Sequence, residues 1–156
     1  DKAIIDPVVV GVDLGAIKRA RDLAQRIGAP LAIIEKRRIG NEDRIETLNV
    51  IGDVKGKIAI ALDDEIDTGG SLLSTVETLQ EQGVKEVYAC CIHGVLSGTA
   101  KEKLSTSNLK ELITTDTLPV INGGESERIT VLSVAPLLGE AIHRIHGGMS
   151  VGAMFQ

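Results

Sequence analysis

Aromatic side chains are almost missing from this chain, which has one Phe, one Tyr and no Trp in 156 residues. Its core must then be aliphatic, built from Ile, Leu, Val and Ala, and 156 residues fit one domain that can enclose such a core. Positive charge is also short. With 17 Lys and Arg against 22 Asp and Glu, the net charge is -5, which argues against the basic face that nucleic acids require. No apolar run approaches the length needed to cross a bilayer, and no segment reads as a signal peptide, so neither a membrane nor a nucleic acid is an expected partner. Cysteine is scarce too. Cys90 and Cys91 are adjacent on an expected strand, where their side chains point to opposite faces and make poor disulfide partners. A reducing, cytoplasmic setting is the expectation. The start at Asp1 rather than Met is read as that of a fragment, a processed product or a chain whose first residues are not included.

What is present is concentrated between residues 58 and 71. The run Ile58-Ala59-Ile60-Ala61-Leu62 reads as a buried strand. It is followed by Asp63-Asp64-Glu65, then Ile66-Asp67-Thr68-Gly69-Gly70-Ser71, then a helical pattern from Ser71 to Gln82. A helix start offers unpaired N–H groups and a positive dipole end to an anion. Glycines let the backbone come close, Thr68 and Ser71 add hydroxyl donors, and the carboxylates can accept from sugar hydroxyls or neighbour a cation. The pattern suits a polyhydroxylated phosphate. The plain alternative is a strand–turn–helix capped by Ser71 with solvated acids, but three acids would then crowd one turn without reward.

Elsewhere strands and helices alternate. Strands are expected at Val8–Val12, Leu31–Ile34, Asn49–Val54, Lys57–Leu62, Glu86–Ile92, Leu109–Thr114 and Ile129–Val134. Helices are expected at Gly15–Ile27, Ser71–Gln82 and Thr99–Leu104, and from Pro136 to His146. Lys36 to Thr47 is charged, lacks a period and reads as a mobile loop, and Asn122-Gly123-Gly124 marks another loop. The implied fold class is α/β: a mainly parallel twisted sheet flanked by helices, in a single domain spanning 1–156. Ligands of such sheets bind at the carboxyl ends of the strands, where Asp13, Lys36 and the acidic run all fall.

The 63–71 segment resembles the phosphoribosyl-pyrophosphate (PRPP) motif of the type I phosphoribosyltransferase fold. Glu35-Lys36-Arg37-Arg38, Asn49-Val50-Ile51-Gly52-Asp53-Val54, the stretch from Tyr88 to Gly98 and Leu132-Ser133-Val134-Ala135-Pro136-Leu137-Leu138 narrow this further. Together they resemble the C-terminal half of ribose-phosphate pyrophosphokinases, the PRPP synthetases, from about Val8 to Phe155. The resemblance implies transfer of a pyrophosphoryl group from ATP to the anomeric hydroxyl of ribose 5-phosphate, giving PRPP and AMP, with Mg²⁺ as cofactor. It implies that most ATP-binding residues belong to an N-terminal half absent here, that the full-length protein is a homo-oligomer, and that this half alone makes little PRPP. Two alternatives stand beside it: a non-catalytic PRPP synthetase-associated regulator, and a PRPP-consuming phosphoribosyltransferase.

By the same resemblance Asp67, Thr68, Gly69, Gly70 and Ser71 hold the 5-phosphate, and Asp63 and Asp64 face the ribose hydroxyls. Lys36 and Arg38 form the catalytic pair, Arg38 also touching ribose 5-phosphate; read alone, Lys36-Arg37-Arg38 is a solvated basic turn. Asp13 is a metal ligand by resemblance and a helix cap by residue type. The family commonly has Ser-Pro before this aspartate and a second Gly after it, where Gly11-Val12 and Ala16 stand here. Glu65 replaces a commonly apolar residue, and the difference is unexplained. His93 is expected in a structural hydrogen bond rather than in catalysis. His143 and His146 are expected near a helix C-terminus rather than on a metal.

Overall fold

β-Branched and small aliphatic runs form the centre of a seven-stranded sheet in the computed structural model, ordered β3-β2-β1-β4-β6-β8-β9. The structure describes residues 4–13, 15–38, 46–119 and 128–155, with the backbone alone at 36–38 and 46–47. The strands are β1 (Pro7–Gly11), β2 (Leu31–Arg38), β3 (Glu46–Ile51), β4 (Ile58–Leu62), β6 (Glu86–Cys90), β8 (Leu109–Thr115) and β9 (Ile129–Leu132). Two short strands, β5 (Glu65–Ile66) and β7 (His93–Gly94), pair separately. The helices are α1 (Ile17–Ile27), α2 (Gly70–Glu81), α3 (Ala100–Thr106) and α4 (Ala135–His146), and a 3-10 turn spans Gly152–Phe155. All pairings in the large sheet are parallel except β2 with β3.

Strand alternation divides the core between the two faces. Val8, Val10, Ala32, Ile34, Ala59, Ala61, Val87 and Ala89 pack with Leu72, Val76 and Leu79 of α2 and with Ala100 and Leu104 of α3. Val9 faces the other way and packs with Ala20 and Ala24 of α1. Right-handed crossovers explain the split: β1-α1-β2 steps towards one edge and β4-α2-β6 towards the other, so their helices cover opposite faces. The strand order therefore reverses between β1 and β4, and a crevice opens at their carboxyl ends.

Most expected elements are present within a residue or two. The segment expected as a loop from Lys36 to Thr47 is a correction. β2 continues to Arg38 and β3 begins at Glu46, with Lys36 opposite Leu48 and Arg38 opposite Glu46. A long antiparallel arm tolerates charged residues because it needs no buried face on both sides. Residues 39–45 and the Asn122-Gly123-Gly124 loop lie outside the described residues. β3 also ends at Ile51 rather than Val54, because Gly52 takes a positive φ of 124° against β2. No helix among the described residues is long and apolar enough to cross a membrane.

Candidate functional site

The crevice at the switch point holds a cavity of ≈ 410 Å³ lined by Asp13 and by the unbroken run from Asp63 to Leu72. The turns after β1 and β4 are held side by side, with Val12 N–H donating to the Leu62 carbonyl at 3.4 Å. The Asp13 carboxylate accepts the Ala16 N–H at 2.7 Å, so it ties the entry to α1 as well as lining the cavity.

Asp63 and Asp64 sit in contrasting environments. Asp63 N–H donates to the Cys90 carbonyl at 3.0 Å, and its Oδ1 accepts the Asp64 N–H at 2.9 Å. Burial pushes the Asp63 carboxyl from 3.8 up to about 6, against the pull of the Asp64 amide, with the Asp64 carboxyl and the charge of Asp13 adding to the rise. Asp64 moves the other way. Hydrogen bonding with the Asp63 carboxyl, its own backbone amide and then the Arg19 guanidinium hold it below the usual carboxylate range. Arg19 Nη2 lies 3.0 Å from Asp64 Oδ2. At neutral pH both groups are anionic, and Asp63 is the one that takes up a proton first.

The turn from Asp67 to Ser71 is shaped by Gly69, whose φ of 76° is left-handed and costs a glycine little. Gly69 is the residue before α2, and its carbonyl accepts the Leu73 N–H at 2.9 Å. The cap position expected at Ser71 is thus two residues earlier, and no side chain caps the helix. A helix start of this kind presents backbone N–H groups and a positive dipole end towards the cavity, which suits an anion.

Behind this turn the chain is stitched to the loop after β6. The Asp64 carbonyl accepts both Ile92 N–H at 3.1 Å and His93 N–H at 2.9 Å. Leu96 N–H donates to the Ile66 carbonyl at 3.0 Å, and Ser97 N–H to the Asp67 carbonyl at 3.1 Å. Within this clamp β5 and β7 pair in parallel, Glu65 opposite His93. The His93 ring makes the expected structural contact, its Nδ1 lying 2.8 Å from Thr117 Oγ1. Glu65 is exposed and lines the cavity.

Asp13, Asp63, Asp64, Asp67, Thr68, Gly69, Gly70 and Ser71 are therefore brought together. The backbone of Lys36 and Arg38 lies on β2, past the point where Gly11 ends the pairing with β1 at Ile33, and their side chains lie outside the described residues. His143 and His146 lie in the last turn of α4 as expected. Among the described residues no three His, Cys, Asp or Glu side chains group to hold a metal ion. Sequence reasoning missed Arg19 and the β5–β7 clamp. Arg19 had one signal, a cation in the first turn of a helix, where the dipole disfavours it. Two-residue strands carry no period to read.

A family model described as the phosphoribosyl synthetase-associated domain matches residues 40–156. The chain belongs to this family. It is 52% identical over 150 residues to a ribose-phosphate pyrophosphokinase of Caldanaerobacter subterraneus subsp. tengcongensis, covering 96% of this chain and 47% of that relative. It is 49% identical to the chloroplastic ribose-phosphate pyrophosphokinase 2 of Arabidopsis thaliana, covering 96% of this chain and 38% of that one. The chain thus spans about half or less of the length of these relatives. A crystal structure of phosphoribosylpyrophosphate synthetase from Mycobacterium smegmatis superimposes with a TM-score of 0.83 at 40% identity, over 92% of this chain and 46% of that one. Orotate phosphoribosyltransferase from Aeropyrum pernix shares the fold, with a TM-score of 0.56 at 23% identity over 87% of this chain and 64% of that one.

Proposed function

We propose that this phosphoribosyl synthetase-family chain is the ribose 5-phosphate-binding part of a ribose-phosphate diphosphokinase, forming PRPP and AMP from ribose 5-phosphate and ATP. One observation carries the proposal: a cavity at the switch point joins an acidic wall, Asp63 and Asp64, to an anion-accepting helix start, residues 67–71. A sugar phosphate needs both. The 5-phosphate takes the N–H groups and hydroxyls of the 67–71 turn, and the ribose hydroxyls donate to the carboxylates.

In the proposed reaction the anomeric hydroxyl attacks the β-phosphorus of ATP and AMP leaves. This chain contributes positioning of the nucleophile and cationic charge from Lys36 and Arg38 at the transferring group. Arg38 is also assigned a contact to ribose 5-phosphate. Mg²⁺ is the proposed cofactor. Asp13 supplies a hard oxygen donor beside the raised Asp63, which suits an ion that takes one or two carboxylates and completes its shell with phosphate oxygens and water. When bound, such an ion would offset phosphate charge. ATP-binding residues are assigned to the part of the relatives that this chain does not span, as is assembly into a homo-oligomer, and the reaction to the cytoplasm. The chain itself is one phosphoribosyltransferase-like domain over 1–156.

Calorimetric titration of ribose 5-phosphate with Mg²⁺ tests the proposal, with the Asp67→Asn Thr68→Val double variant as control. The expected outcome is saturable binding that weakens at least tenfold in the variant, as for loss of hydrogen bonds to a charged ligand. Binding that is absent, or unaffected by the variant, rejects this site as the sugar-phosphate site.

A further inference from the structure

Arg19 occupies a place that works against the fold. It is in the first turn of α1, where the helix dipole disfavours a cation. Its Nε is closed off from solvent and has no hydrogen-bond partner among the described residues, although buried donors are nearly always paired. Its ion pair with Asp64, at 3.0 Å, joins side chains that are 42% and 54% exposed, a class of pair that contributes little to stability. Local costs without a structural return are characteristic of residues kept for a site.

We infer that Arg19 is a positioning residue for the sugar side of the cavity, an inference that rests on the ribose 5-phosphate reading above. Arg19 does not line the cavity; it reaches from α1 to the run after β4 and takes Oδ2 of Asp64. An ionised carboxylate has about four acceptor positions. Arg19 fills one, fixes the rotation of the group and leaves the others to ribose hydroxyls. The guanidinium also sits beside a cavity lined by five carboxylates, Asp13, Asp63, Asp64, Glu65 and Asp67, whose summed charge repels a phosphate ester. Arg19 is a fixed countercharge placed where it leaves the anion turn open. Its role is thus selective: it supports recognition of the sugar and acts on the phosphate only through the overall field.

Five versions of the purified chain separate this role from a structural one: the parent, Arg19→Met, Arg19→Lys, Asp64→Asn and the double variant of Arg19→Met with Asp64→Asn. Each is titrated with ribose 5-phosphate and with inorganic phosphate, and melted. Methionine keeps the apolar stem and removes both the charge and the orphaned Nε. The expected result is an Arg19→Met melting temperature equal to or above the parent's. Its affinity for ribose 5-phosphate falls about tenfold, while its affinity for phosphate changes less than threefold. Asp64→Asn behaves alike, the double variant is no worse than either single, and Arg19→Lys recovers part of the loss. Equal losses for both ligands, a clear drop in melting temperature, additive losses in the double variant, or unchanged ribose 5-phosphate affinity would each overturn the inference and leave the proposed function standing. A parent chain that binds phosphate but not ribose 5-phosphate overturns the proposed function, and the inference with it.

Discussion

Asp63 is half-buried at the wall of the cavity, and its carboxyl titrates at about 6 in the fold against 3.8 in its absence. Between those values the folded chain takes up a proton that the unfolded chain does not. The fold therefore loses stability as pH rises from about 4 to about 6, and above 6 it carries the full cost of the ionised group. Asp63→Asn keeps an oxygen for the Asp64 N–H but never ionises. It is expected to raise the melting temperature at pH 7 by about 2–4 °C, equivalent to roughly 1 kcal/mol after allowance for solvent screening. At pH 3.5 the two chains should melt together. A gain that persists at pH 3.5, or no gain at pH 7, contradicts this account. At this scale the sequence was legible where residue type and neighbours sufficed. Asp13 reads as a cap and lines the cavity, and His93 makes its structural contact. The pairing of Arg19 with Asp64 was not legible, because 45 positions separate them and only the α1 crossover brings them within 3.0 Å.

At the scale of elements, period and composition located the central strands and α2 well, since each buries a regular stripe. They failed at Lys36 to Arg38 and at Glu46, where the backbone pairs across β2 and β3 although the sequence shows no strand period. The β2–β3 arm has a structural control point at Gly52. A Cβ there would lie 2.9 Å from Ala32 Cβ and 3.1 Å from the Leu31 carbonyl oxygen, at a φ of 124°. Gly52→Ala thus combines backbone strain with a contact that neither strand can relieve. A loss of about 2–4 kcal/mol is expected, or some 5–12 °C in melting temperature. Thermal melts of the variant decide this, and a loss under about 2 °C would show that β3 yields easily.

Across the whole molecule the burial is lopsided. α4 has no buried residue, and Leu138, Ile142 and Ile145 along it are 55%, 67% and 69% exposed. Phe155 beyond it is 62% exposed. The start of α4 is tied to the end of β8 through the Asp116 carboxylate, which accepts Val134 N–H at 2.8 Å. Apolar side chains so placed add little to folding. Ile142→Ser with Ile145→Ser should leave the melting temperature within about 2 °C and reduce binding of an apolar dye, whereas Leu79→Ala, fully buried in α2, should cost about 2–5 kcal/mol. A double α4 variant that melts as low as Leu79→Ala would mean that α4 packs in solution. At this scale the sequence was legible in placing Asp13 and the acidic run at the carboxyl ends of parallel strands, while the reversal of strand order between β1 and β4 was not. Strand order depends on long-range pairing that no local pattern encodes, and in the structure it brings those residues into one crevice.

The β5–β7 clamp has a consequence for how a ligand is received. Four amides of the loop after β6 are already bonded to carbonyls of the 64–67 run, so that run has lost its conformational freedom during folding. A ligand entering there meets a rigid receptor, and its affinity is not reduced by the ordering of that turn. Docking of a ligand there without coupled folding is expected to show a small heat-capacity change, with geometric fit counting for more than adaptation.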